Sequence, residues 1–183
     1  MEMQVSDLGL SGVKLVRPRV FRDGRGFFLE TFSEIPYAQA GIDVAFVQDN
    51  HSRSFEGTLR GLHYQSSPGQ AKLVRAATGR IWDVVVDIRP ESSTFGRWEG
   101  TVLDAEEHAQ IFVPLGFAHG FCVLSAFADV VYKVSSPYNP ATECSIRYND
   151  PELAVDWPVA DPILSDRDLK SESFAAFRAR VIP

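Results

Sequence analysis

Between residues 12 and 135 the chain is cut into short runs rich in Val, Ile, Phe, Tyr and Trp, each closed by Gly, Pro, Ser or Asp. Runs so short and so closely spaced read as strands rather than amphipathic helices. The pattern predicts strands over 12–18, 26–33, 44–50, 58–65, 71–78, 80–88, 97–103, 110–113, 119–125 and 128–135. In "IWDVVVDIR" (81–89), Trp82, Val84, Val86 and Ile88 share one face; Asp83, Asp87 and Arg89 share the other, with Val85 between them. A period of two predicts a half-buried strand. "GR" at 79–80 reads as a tight turn joining 71–78 to 80–88 as a hairpin. The prediction is an all-β fold, a sandwich or barrel of the jelly-roll kind.

Helices are few. One short helix is predicted at 33–40 with Ser33 as N-cap, and a second at 166–178, with Leu169, Phe174 and Phe177 on a ragged apolar face. Residues 136–163 are rich in proline and polar groups and read as a long irregular connection, a kind that is more often functional than idle. No repeat or linker interrupts the chain, and 183 residues with 45% hydrophobic content suffice for one domain, 1–183.

Net charge is −6, which argues against a nucleic-acid partner. No apolar run approaches the ~20 residues of a membrane helix. The start, "MEMQVSDLGL", lacks the basic and apolar stretches of a signal peptide, so the expectation is a cytoplasmic protein without a membrane partner. Cys122, in "HGFCVLS", reads as a buried core thiol, and Cys144 has no CxxC neighbour.

"TLRGLHYQ" (58–65) places Arg60, His63 and Gln65 in a strand, where polar side chains are unfavourable to bury unpaired. Such a strand is either a solvated edge or the wall of a pocket. Arg60 and His63 are an odd number apart and face opposite ways in a regular strand, but a bulge at Gly61 would turn both to one side. Lys72, His119 and Tyr132 also stand in strand-like runs. A metal-binding barrel is the obvious rival. It calls for a His-x-His pair with further ligands, and "LHYQ" has glutamine where the second histidine would stand, so no metal is expected. Neither a G-x-S-x-G nucleophile nor a phosphate loop is present. What remains is acid–base chemistry by His63, Lys72, Tyr132 and an acidic residue.

"DNHSRSFEGTLRGLHYQ", "AKLVRAATG", "VPLGFAHGF", "VVYKVSSPYNP", "YNDPELAVDWP" and "ILSDRD" follow one another in that order. Together they closely resemble the dTDP-4-dehydrorhamnose 3,5-epimerase family, from "RVFRDGRGFFLETF" to "ILSDRD". Two small departures are Gly24, where an acidic residue is common, and the loop "SSPGQ", where many members carry more proline.

The resemblance implies a cupin-like jelly-roll barrel with short peripheral helices. It implies epimerisation of a dTDP-linked 4-keto-6-deoxyhexose at C3 and C5, through an enolate on O4 and with no cofactor. His63 is then the base, Asp168 orients it, Lys72 stabilises the enolate and Tyr132 is the proton donor on the opposite face. His119 contacts substrate. Arg60, Arg167, Gln48, Asp49, Asn50 and Glu143 serve the nucleotide end, and Tyr138 is an aromatic wall. Arg25, Phe28 and Glu30 reach the neighbouring site of a homodimer. Read from residues alone, Asp168 is equally a helix-start carboxylate capped by Ser165. A mono-epimerase, a metal-dependent barrel enzyme and a non-catalytic sugar-nucleotide sensor are the alternatives.

Overall fold

The computed structural model describes residues 2–182. Thirteen strands and two α-helices make up its regular structure. The first half holds β1 (Gln4–Asp7), β2 (Lys14–Arg17), β3 (Val20–Asp23), β4 (Gly26–Leu29), α1 (Glu34–Gln39), β5 (Gln48–Phe55), β6 (Leu59–Gln65), β7 (Lys72–Thr78) and β8 (Arg80–Asp87). The second half holds β9 (Trp98–Asp104), β10 (Gln110–Val113), β11 (Phe117–Val123), β12 (Phe127–Val134), β13 (Glu143–Ser145) and α2 (Phe174–Val181).

Two antiparallel sheets face each other. One has the order β1-β2-β10-β7-β12-β5, the other β13-β6-β11-β8-β9; β3 and β4 form a separate hairpin. The sheets are not closed on themselves, so the jelly-roll expectation holds as an open two-sheet sandwich. Between them lies an apolar core that includes Val74, Ile81, Val85, Ile111, Phe117, Phe121 and Val130. The outer face of the five-stranded sheet is also buried, with Val84, Val86 and Leu62 packed against Phe174 and Phe177 of α2. On the outer face of the other sheet, Leu73 and Phe112 pack with Tyr37 of α1 and Ile42.

β8 corrects the half-buried reading of "IWDVVVDIR". Asp83 and Asp87 are both 0% exposed, and the face that carries them is the inner one. Burial is possible because each carboxylate is engaged. Asp87 accepts from Arg89, Ser92 and Thr94, and Asp83 faces His119. The predicted strand at 44–50 begins later and runs on to Phe55, while β1, β3 and β13 escaped the pattern because each is four residues or fewer.

The helix expected at 166–178 is broken. A single 3₁₀ turn spans Asp168–Lys170, and α2 starts only at Phe174, with the Ser173 hydroxyl accepting from the Ala176 N–H. Between them the chain extends so that Glu172 bridges Ile146, and this pairing outcompetes a continuous helix. Ser33 precedes α1 as predicted but makes no side-chain cap bond.

Candidate active site

The two sheets part at one end around a cavity of about 260 Å³. Its walls come from both sheets. β5 contributes Gln48, Asn50 and Ser52, β7 contributes Lys72, and β12 contributes Tyr132; opposite them stand Arg60 and His63 of β6, His119 and Phe121 of β11, and Glu143 of β13. Gln70, Tyr138 and Arg167 close the rim from the connecting segments.

The bulge anticipated at Gly61 is what brings Arg60 and His63 to one side. On β11, His119 pairs with His63 and Phe121 with Arg60, so two residues of β6 oppose Gly120 alone. Only glycine fits there. Gly61 has a φ of +137°, and a Cβ on it would lie 2.5 Å from the Gly120 Cα.

His63 Nε2 lies 2.5 Å from Asp168 Oδ1. Asp168 is itself held by Ser165, whose hydroxyl donates to Oδ2 at 2.9 Å while accepting from the Asp168 backbone N–H. The two readings of Asp168 therefore coexist: it starts a short helical turn and it orients a histidine. Burial pushes the Asp168 carboxyl up, but the bonds from His63 and Ser165 bring it below the usual range, so it is ionised. Burial lowers the His63 pKa against the opposing pull of Asp168. A neutral imidazole facing this carboxylate carries its proton on Nε2, which leaves Nδ1 with a free lone pair.

Lys72 is buried, and burial lowers its pKa to about 8 even though Asp83 and Glu143 pull it upward. Asp83, a buried carboxylate that the sequence reading left unassigned, stands behind this wall and touches His119. Its two oxygens lie 3.0 and 2.9 Å from His119 Nε2. Burial, reinforced by Glu143, raises the Tyr132 pKa, so its phenol stays protonated. His63 and His119 are thus each turned toward a separate carboxylate. Among the described residues no group of three or more His, Cys, Asp and Glu side chains converges as a metal site would require.

The rim is pinned by hydrogen bonds. Arg167 donates to Glu143 at 2.6 Å, Arg60 to Ser54 at 2.9 Å, and Gln48 to Asn50 at 2.8 Å. Gln48 and Gln65 accept from the backbone N–H groups of Tyr138 and Asn139, which fixes the "PYNP" segment above the cavity. Gln70 donates to the Ser136 carbonyl.

Asp168 stands behind His63 rather than on the cavity wall, and four other predicted residues do not join the cavity at all. Asp49 points to the opposite face of β5, because it alternates with Gln48 and Asn50, and it pairs with Lys133 at 2.9 Å. This corrects its placement at the nucleotide end. Arg25, Phe28 and Glu30 lie on or just after the β3–β4 hairpin, apart from the cavity of their own chain; Arg25 pairs with Asp23, and Phe28 is 70% exposed.

A family model described as dTDP-4-dehydrorhamnose 3,5-epimerase matches residues 7–176. A relative of that name from Pseudomonas aeruginosa is 50% identical over 175 residues, covering 94% of this chain and 97% of its own. Another, from Neisseria gonorrhoeae, is 49% identical over 174 residues; the match covers 94% of this chain but only 53% of that relative's length. Among solved structures, dTDP-6-deoxy-D-glucose-3,5-epimerase from Legionella pneumophila, in complex with dTDP-4-keto-L-rhamnose, superposes with a TM-score of 0.95. It is 45% identical, over 100% of this chain and 98% of that one. With a model match across most of its length and relatives near half identity, the chain belongs to the dTDP-4-dehydrorhamnose 3,5-epimerase family.

Proposed function

We propose that this protein epimerises dTDP-4-dehydro-6-deoxy-D-glucose at C3 and C5, giving dTDP-4-dehydro-L-rhamnose for deoxysugar biosynthesis. The single observation that carries the reading is the placement of a histidine–carboxylate pair and a protonated tyrosine on opposite walls of one cavity, with a lysine beside them. A binding module needs no such pairing of base and acid.

The C4 ketone acidifies the hydrogens on C3 and C5. His63 takes one of them; the C–H electrons form a C=C bond, and O4 becomes an enolate. The Lys72 cation, itself buried, stabilises that charge. Tyr132 then delivers a proton to the carbon from the other face, the ketone re-forms, and the centre is inverted. The imidazolium and the phenolate are reset by exchange with solvent through the open rim. Electrons stay within the sugar throughout, since the ketone accepts and returns the pair, so the proposed chemistry uses no cofactor.

A cavity of about 260 Å³ suits the reacting sugar but not a whole nucleotide sugar. In this reading the diphosphate and thymidine lie along the rim, held by Arg60, Arg167, Glu143, Gln48 and Asn50, with Tyr138 as the aromatic wall and His119 touching the sugar. We further propose a homodimer. Phe21, Phe27 and Phe28 are exposed on the hairpin, and a partner's rim gives Arg25, Phe28 and Glu30 a surface to reach. We read residues 1–183 as one catalytic domain, and we place it in the cytoplasm, where its two free cysteines fit a reducing compartment.

Chelator-treated protein is incubated with the ketosugar nucleotide in heavy water and followed by NMR. The expected result is enzyme-dependent deuterium at both C3 and C5 with inversion at both. Label and inversion at one carbon would make it a mono-epimerase. No exchange at either carbon would overturn the epimerase reading.

A further inference from the structure

Most polar side chains that line the cavity are already engaged within the protein: Asn50 with Gln48, Arg60 with Ser54, His63 with Asp168 and His119 with Asp83. Inside the rim, Lys72, Tyr132 and Ser52 are the polar lining residues without a side-chain hydrogen bond among the described residues. The proposed chemistry uses the first two. Ser52 is left over.

The Ser52 hydroxyl oxygen is closed off from solvent and has no partner, although a buried polar atom is ordinarily satisfied. It stands on β5 in the inward row with Gln48, Asn50 and Ser54, opposite Val130 in the strand register. Its neighbours across the cavity include Phe121 and Arg60. Ser52 as a whole is only partly buried and lines the cavity, so a change of χ1 rotamer is the movement by which the hydroxyl would meet a ligand there.

We propose that Ser52 hydrogen-bonds the C2 hydroxyl of the sugar and selects sugars that carry it. This deepens the epimerase reading and rests on it. The 4-keto-6-deoxyhexose has two hydroxyls, on C2 and C3. The C3 hydroxyl changes sides during the reaction and O4 is taken by Lys72. A group that must hold the ring while C3 and C5 both invert can grip C2–OH, which does not move. Position agrees: Arg60, which faces the diphosphate at C1 in this reading, bonds Ser54, the next inward residue along β5. C2 is the carbon next to C1.

The test compares wild type and Ser52→Ala on the normal substrate and on its 2-deoxy analogue. Wild type is expected to prefer the 2-hydroxy sugar by roughly tenfold in kcat/KM, the usual worth of one neutral hydrogen bond. Ser52→Ala is expected to lose that preference while its melting temperature stays level or rises, because the variant removes an unsatisfied buried hydroxyl. A purely structural serine would lower the melting temperature and leave the preference intact. A variant that keeps the wild-type preference overturns the proposal. Wild type inert on both sugars would overturn the epimerase reading itself, and this proposal with it.

Discussion

Lys72 enters the cavity from the first position of β7, and its pKa of about 8 sits close to physiological pH. If its cation holds the enolate, kcat/KM must fall as that cation is lost. Protonation falls from roughly nine-tenths at pH 7 to roughly one-tenth at pH 9, so the rate constant drops roughly tenfold across that interval. Tyr132 does not account for such a limb, because burial holds its phenol above the ordinary tyrosine value. The assay is kcat/KM against pH at low substrate, which reports the free enzyme, with wild type and Lys72→Arg side by side. A guanidinium keeps its charge throughout, so Lys72→Arg lowers the plateau but removes the limb. Lys72→Met removes the charge and is expected to cost about 10²–10³ in rate. The linkage runs the other way for stability. A folded pKa below the unfolded value of 10.5 means that the unfolded chain binds more protons between about 8 and 10.5. Stability therefore rises with pH through that window, and the full penalty is present below it. Lys72→Met should be more stable than wild type at pH 7 and nearly inactive. A limb near pH 8 that survives in Lys72→Arg would refute the assignment.

Tyr132→Phe should still exchange substrate hydrogen with heavy water through His63 while failing to invert the carbon; inversion at the wild-type rate, seen by NMR, would remove Tyr132 from the proton path. Asp83→Asn should lower the Lys72 pKa further and move the alkaline limb of kcat/KM to lower pH, because Asp83 is the foremost charge holding that lysine protonated; an unmoved limb would show that the charge is not felt. Asp87, opposed by burial but drawn down by Arg89, Ser92 and Thr94, has its pKa at about 2 instead of 3.8. That shift is worth about 2 kcal/mol, fully present above pH 3.8 and lost as pH falls through about 2, so Asp87→Asn should lower the urea midpoint at pH 7 and matter less in acid. Gly61→Ala should destabilise by about 2–4 kcal/mol, from the overlap with Gly120 and the positive φ, and denaturant titration checks it.

The strands from β6 to β12 were legible because breakers separate their apolar runs, and "QIFV" was bounded to the residue. The hairpin read at 79–80 was wrong: Gly79 carries the chain from one sheet to the other, so β7 pairs with β10 and β12 while β8 pairs with β9 and β11. The outward face of β5 was not legible. Asp49 looks like its neighbours Gln48 and Asn50 in the sequence, and only the side-chain period separates it from them. The inner row of β8 was misjudged for a related reason. Alternation says which residues share a face, but not which face is buried, and here both are. Asp83 escaped notice because an aspartate on an apparently solvated face calls for no explanation until the fold buries it against His119. Ser52 is similar: a serine among "HSRS" is unremarkable until its hydroxyl is enclosed. Residues drawn together from distant strands, such as His63 and Asp168, 105 positions apart, were within reach only through the resemblance.

Inversion at carbon sets a geometric demand that this fold meets directly. A planar enolate presents two faces, and a base and an acid on one face would return the proton where it came from. A group on each face is needed, so the two must stand on walls that face each other. In an open sandwich the facing walls are two sheets that share a core but not a strand. His63 projects from one sheet and Tyr132 from the other, and the apolar layer beneath them fixes the gap. In the proposed chemistry the bulge at Gly61 then governs the base wall, since without it Arg60 and His63 would turn to opposite sides of β6. Substituting Gly61 should therefore reduce turnover by more than its effect on stability predicts, at a temperature where the variant is still fully folded. Turnover that tracks the folded fraction alone would show that the bulge serves packing and not chemistry.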